Sequence, residues 1–233
     1  MVESNVVEVM GREAESFRAT EHSEGLRVAR LEAAGPLYEF LESLRSREWV
    51  RDDDVQADGL YAARLGLLAG DDYLRDAVLC KILMPDVDAG MFREVASAGY
   101  GTLDTVERVM EHVYEHTDYD VREQVGSYRT ADGMPALLAD AVAVLPPDWR
   151  RGALEVAAFT SWAQGDDEAT VNEYCARLFE VQPYNMMGSQ VSAVNLKGVR
   201  PAFVASKSRS GVDVSSLDDS ASLNDAASAV SAR

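Results

Sequence analysis

The chain has 233 residues, 47% hydrophobic and 27% charged, enough for one sizeable core or two small ones in a soluble globular protein. Forty acidic residues against 22 basic ones give a formal charge of -18 and a pI of about 4.5. That balance argues against direct binding of phosphate backbones, where counterion release needs Lys and Arg. No run approaches the roughly 18 apolar residues of a membrane span. The opening MVESNVVEVMGREAES lacks a basic segment followed by an apolar one, so no signal peptide is expected. Two cysteines, Cys80 and Cys175, make neither a disulfide framework nor a metal cage, and the cytoplasm is the expected compartment.

Residues 1–33 are strongly polar and read as an N-terminal arm or loosely attached helix. A helical domain is expected over residues 34–197. In GPLYEFLESLRSREWV, Pro36 reads as a helix start, with Leu37, Phe40, Leu41 and Leu44 at i, i+3, i+4 and i+7. DGLYAARLGLLAG closes on Gly70, suited to a left-handed C′ position, and DDYLRDAVLCKILM stops before Pro85. PDVDAGMFREVASAGYG reads as a short helix ended by its glycines. In TLDTVERVMEHVYEH, Leu103, Val106, Met110 and Val113 mark the expected buried face. GMPALLADAVAVL runs to the break at Pro146-Pro147, after which Asp148 is the expected N-cap of DWRRGALEVAAFTSWAQG. DDEATVNEYCARLFEVQ is stopped by Pro183, and YNMMGSQVSAVNL reads as one more helix. Val, Ile and Thr nowhere alternate with polar residues over a useful length, so no strands are expected. Residues 198–233 are Ser, Asp and Ala with almost no large apolar group, which predicts a disordered tail.

Two Gly-Asp-Asp triplets, Gly70–Asp72 and Gly165–Asp167, raise the question of metal chemistry. Each glycine is followed ten positions later by a cysteine and thirteen positions later by a leucine. A catalytic triplet of this kind sits between strands and needs further carboxylates. Here each lies between two apolar helical runs, so the reading is a helical corner: glycine closes one helix and aspartate caps the next. Around the second corner, Trp162, Ala163, a Val171/Tyr174/Cys175/Leu178 stripe and Pro183 have the character of a tetratricopeptide-type hairpin. The expected fold is therefore all-α, with stacked helical hairpins in a tetratricopeptide-like right-handed array.

The segment ALEVAAFTSWAQGDDEATVNEYCARLFEVQPYNMM is similar to the C-terminal signature of the bacterial family catalogued as domain of unknown function 4192. The matching residues are Trp162, Gly165, Asp166, Ala169, Arg177, Leu178, Pro183 and Tyr184. Upstream, Arg75 and Asp76 in YLRDAVL resemble the family's Arg-Asp-Ala helix. The resemblance covers roughly Gly59 to Val194, departs from the pattern at Gln182, and lacks the strand-rich N-terminal region of full-length members. It implies helical hairpins and assigns no activity, since the family's function is itself unassigned.

HVYEH, from His112 to His116, fits the inverted zincin pattern, with His112 and His116 as zinc ligands and Glu115 as base. These residues sit opposite the expected apolar face, so a solvated, charged helix face is the favoured reading. Neither cysteine is placed as a nucleophile, and no phosphate loop or nucleophile elbow occurs. No catalytic residue, cofactor or metal is therefore assigned. The expected role is a non-enzymatic protein-binding or assembly module. Its partner is another protein, a basic surface being one option, and Tyr119, Tyr128 and Tyr184 are the candidate contact residues. The alternatives are an acidic mimic of nucleic acid that occupies another protein's basic site, and a zinc-dependent hydrolase at HVYEH.

Overall fold

The computed structural model describes residues 2–45, 64, 66, 68–84, 86–115, 138, 142–143 and 145–201. Among the described residues all regular structure is helical: α1 (Val2–Glu24), α2 (Leu26–Arg45), α3 (Asp72–Leu83), α4 (Ala89–Ala96), α5 (Thr102–Glu115), α6 (Arg150–Ala163), α7 (Glu168–Val181) and α8 (Met186–Leu196). A 3-10 turn, Pro147–Trp149, leads into α6. No described helix is long and apolar enough to cross a membrane.

The polar N-terminus packs rather than hangs. Gly25, with φ of +95°, reverses the chain between α1 and α2, and Thr20 donates to Glu32 across the hairpin. Ala14 is buried and Phe17 packs on the core. α2 runs straight through Pro36 instead of starting there. Burial of Ala29, Ala33, Ala34 and Leu37 on one side of this helix outweighs the single backbone bond that proline removes.

Two helices form the centre. α3 contacts α2, α4, α5 and α6, and is buried almost all round from Leu74 to Leu83. α6 contacts α3, α7 and α8 and is buried from Gly152 to Ala158 and again from Thr160 to Ala163. Gly152 lets the start of α6 approach the backbone just before α3, because a Cβ there would lie 2.1 Å from the backbone of Ala69. α7 and α8 are antiparallel: the start of α8 at Gly188 lies against Leu178 and Phe179, near the end of α7. At the other end Asn195, fully buried, donates to the carbonyl of Glu168 and to Asn172.

The two triplets are corners, but not identical ones. At the first, Asp71 caps α3 by accepting from the amides of Tyr73 and Leu74. At the second the cap is the third residue, Asp167, while Asp166 accepts from Ser161 and Gln164. Gly165 takes the left-handed conformation, φ +78°; Gly70 is not among the positive-φ glycines. The cysteines thus sit at different registers from their caps. Both are buried all the same, Cys80 because α3 is enclosed on nearly every side and Cys175 on the inner face of α7.

Two further expectations are corrected. The buried line of α5 is Thr105, Val109 and Val113, spaced by four, and Leu103 is 71% exposed. Val106 packs at the edge of the core. The apolar pattern had passed over a threonine whose methyl group serves the inner face. α6 begins after Trp149, with Asp148 inside the 3-10 turn and no side-chain cap bond. Instead Arg150 donates to the carbonyl of Leu145, and Arg151 to that of Gly70. The polar segment from Gly198 starts with packed residues: Val199 accepts from the indole of Trp162, and Pro201 is buried.

Burial pushes the Cys80 thiol up to about 12 and the Cys175 thiol up to about 11. Both should therefore resist a thiol reagent in the native protein and label only on unfolding; rapid labelling of the folded chain would show the packing of α3 or α7 to be wrong. Gly152→Ala should lower stability by about 1–3 kcal/mol, as overpacking does, measured as a lower midpoint of chemical denaturation.

Candidate functional site

A charged residue in the middle of an apolar helix must find a partner or lose its charge. Glu155 is that residue in α6, only 2% exposed. Its Oε2 accepts from Nη1 of Arg75 in α3 at 2.9 Å, across 80 positions of sequence. Its Oε1 accepts from the side-chain amide of Asn185 in the turn between α7 and α8. Arg75 also binds Asp76 through Nε and Nη2, at 3.0 and 2.8 Å, and Asp72 at 2.9 Å. Burial alone would lower the Arg75 pKa; Asp76 and Glu155 more than reverse this and hold it above its ordinary value. Burial raises the Asp76 carboxyl against the pull of Arg75.

Asn185 connects this lock to the surface. It is 2% exposed and caps α8, its Oδ1 accepting from the amide of Gly188 at 2.7 Å. Its amide also donates to Gln182. Its two neighbours project outward: Tyr184 is 94% exposed and Met186 75% exposed. A rigid corner therefore presents an aromatic ring and a thioether to solvent on a backbone fixed from below. This is how a contact surface limits the entropy lost on binding.

The other predicted positions fare differently. Tyr119, Tyr128 and His116 lie outside the described residues. Glu115 is exposed at the end of α5. His112 is half-buried, with Nδ1 2.9 Å from the carbonyl of Arg108 one turn earlier; that contact makes Nδ1 the donor. Among the described residues no three His, Cys, Asp or Glu side chains are grouped as a metal would need. The aspartates of the triplets are engaged as caps and in ion pairs, Asp71 with Arg30 at 2.9 Å and Asp72 with Arg75 and Arg151.

Two other places resemble sites and are accounted for by structure. Lys81 is almost wholly buried, donates to the carbonyl of Val87, pairs with Glu42 at 2.7 Å and lies over the ring of Tyr38. These contacts tie α3 to α2 and to the turn before α4. A cleft of about 190 Å³ between α1 and the turns before α3 and α6 is lined by Phe17, Arg18, Leu68, Asp71 and Trp149. It falls below the roughly 300 Å³ of ordinary ligand pockets. Asp71 is already occupied by Arg30, and the Gly70 carbonyl by Arg151.

Fold and surface together define an all-α protein built around a buried ion-pair lock, with an apolar corner on its outside. No family model matches the chain, and no curated protein or solved structure matches it. The resemblance to domain of unknown function 4192 thus rests on its own residues, whose places are now visible. Trp162 is fully buried, Gly165 turns left-handed, Asp166 braces the corner, Leu178 is in the core and Tyr184 is outside.

Glu155→Ala should destabilise the fold by about 3–5 kcal/mol, because it leaves Arg75 with a buried guanidinium edge and removes one of the two acceptors of the Asn185 amide. Replacing both Arg75 and Glu155 by Met should cost markedly less than the sum of the single changes in a denaturation cycle. Additive effects would show that the two side chains do not act as a pair.

Proposed function

We propose that this protein is a non-enzymatic helical module of stacked, tetratricopeptide-like hairpins that binds another protein through the α7–α8 corner. The observation that carries the reading is the pairing of Tyr184 and Met186, both strongly exposed, with the buried Asn185 between them. Exposed side chains that merely cover a core edge are partly enclosed, and these two are not. Tyr and Met are the residue types that make adaptable, high-yield contacts when a partner removes them from water. The cytoplasm remains the compartment we assign, on the strength of two cysteines that form no disulfide.

A second reading, the acidic mimic, draws support from α5. Asp104, Glu107, Glu111 and Glu115 recur at i, i+3, i+7 and i+11 and are all exposed. They form one outward acidic stripe, roughly 16 Å long at 1.5 Å per residue. Capture of a basic protein by this stripe would weaken steeply with salt, whereas capture by an apolar corner would not.

Tyr184→Ser combined with Met186→Ser should leave the melting temperature within about 1–2 °C of the parent, since exposed positions matter by less than about 0.5 kcal/mol. The same variant should lose its partner in a pull-down from the native host. Retention of the partner would remove the corner from the interface, and retention lost on Glu107→Lys with Glu111→Lys would favour the mimic.

A further inference from the structure

Charge is unevenly distributed along the chain. Residues 1–180 carry a net charge of -19, whereas residues 181–212 contain no Asp or Glu and carry +4. α8 lies in this run, and its outer face exposes Met186 and Leu196 without a carboxylate. Two of the four cations belong to the fold: Lys197 is the C-cap residue of α8, and Arg200 donates to Oδ1 of Asn195 at 2.6 Å. The other two, Lys207 and Arg209, stand in SKSRSG, outside the described residues.

The place from which this basic segment departs is fixed. Gly198, with φ of +66°, closes α8, its amide bonded to the carbonyl of Asn195 and that of Val199 to the carbonyl of Val194. The Val199 carbonyl then accepts from the indole of Trp162 at 2.9 Å, and Pro201 is buried. The same indole meets the ring of Tyr114, in α5, at a centroid distance of 5.3 Å. The chain therefore leaves the body beside the last turn of α5. Around that helix, at 100° per residue, Glu107 lies about 20° from Tyr114 and Glu111 about 60° from it. Both belong to the exposed acidic stripe, of which Asp104, Glu107 and Glu115 form no ion pair among the described residues. Other carboxylates near the end of α8 are engaged. Asp166 accepts from Ser161 and Gln164, and Asp167 caps α7.

We infer that residues 202–209 fold back along the outer face of α5 and set Lys207 and Arg209 on its acidic stripe. This contact is independent of both partner surfaces proposed above. Reach permits it: six residues separate Lys207 from Pro201, up to about 20 Å of extended chain, and the stripe is roughly 16 Å long. Spacing matches as well. In an extended chain Lys207 and Arg209 point to the same side about 6.6 Å apart, and Glu107 and Glu111, one helical turn apart, are separated by about 6 Å. Phe203, two residues past Pro201, comes within reach of the Tyr114 ring, which is 41% exposed. Sign selects the occupant, since the segment carries two cations and no carboxylate while the face carries four carboxylates. Exposed ion pairs contribute little singly. A tether of six to eight residues offsets that weakness by holding the cations at a local concentration on the order of millimolar. A basic protein approaching the stripe would first have to displace this strap.

Zero-length crosslinking of the full chain with a carbodiimide tests this, because it joins an amine to a carboxylate only where the two touch. The chain has three lysines and Lys81 is buried, so links from Lys207 need be told apart only from those of Lys197. Mapped by mass spectrometry in the monomer fraction, Lys207 should link to Glu107 or Glu111. Those links should be lost in about 1 M salt, where the screening length falls to about 3 Å. Trypsin, which cuts after Lys207 and Arg209, gives a second measurement. Glu107→Gln with Glu111→Gln, both at exposed positions, should speed cleavage at those two sites by at least ~threefold at low salt, by raising the population of the released segment. Links from Lys207 chiefly to the carboxylates of α7 or of residues 213–225, or no links at all, would overturn the inference. So would tryptic cleavage indifferent to the two glutamines.

Discussion

The bond between Arg75 and Glu155 is the constraint on which the arrangement depends. It joins the two helices that are enclosed on nearly every side, α3 and α6, one turn along α6 from Gly152, which packs against the backbone leading into α3. A lone carboxylate at that depth would be intolerable, and a lone guanidinium nearly so. Each is tolerable because its remaining hydrogen-bonding capacity is met: Glu155 by Asn185, Arg75 by Asp76 and Asp72. An apolar pair of equal volume would serve stability as well or better. What the ion pair adds is register. Hydrophobic contacts let two helices slide by a turn at modest loss, whereas a carboxylate held on one oxygen by Arg75 and on the other by Asn185 has one solution. Because Asn185 is also the cap of α8, that register passes to the outer helix.

The aspartates illustrate how a strongly acidic chain contains its own charge. Asp71, Asp88 and Asp167 each cap a helix, where the carboxylate accepts from free amides and sits at the positive end of the helix dipole. Hydrogen bonds from Thr170 hold the Asp167 carboxyl below the usual range. Asp71 doubles as the partner of Arg30, which in turn covers the ring of Tyr73. Paired carboxylates next to a glycine suggest a metal site only so long as their surroundings are unknown. Once the flanking segments are helices, the same atoms have backbone work to do.

The fold class was legible in the sequence because period-3.6 patterning coincides with helix wherever the residues are described, and the corners at Gly70 and Gly165 fell where glycine and aspartate interrupt that pattern. The central helices were legible for a weaker reason. α3 and α6 are buried on almost all sides, so periodicity says little about which face points where, and only their high apolar content marks them. What escaped was non-local. Glu155 is a single charge in an apolar run, which the sequence reading passed over, and its partner lies 80 residues earlier, where no local rule connects them. Leu103 was misplaced because apolar spacing was weighed without Thr105, which supplies the first buried position of α5. The preference that marks Pro36 as a helix start is local, and the burial of α2 overrides it. At the corner itself, the exposure of Tyr184 was legible, since it sits between a helix-stopping proline and a capping asparagine. The reason its position is rigid was not.

The uneven charge bears on what kind of surface this protein can offer. A body of -19 over its first 180 residues excludes polyanions at long range, whatever the local composition of a patch. That field opposes the approach of any acidic body, another copy of this chain included, to the apolar outer face of α8. It does so without placing any carboxylate on the face, where a charge would have to be desolvated on binding. The acidic groups and the apolar face are thus separated along the chain; were the face to bind a partner, the first would act on approach and the second in contact. Such a division gives specificity through the wrong complexes it disfavours as well as through the right one it stabilises. It also requires that the face be presented in one orientation, since a mobile α8 would bring its apolar groups back against the acidic body. The polar contacts of Asn185 with Glu155 and of Asn195 with Asn172 meet that requirement at its two ends.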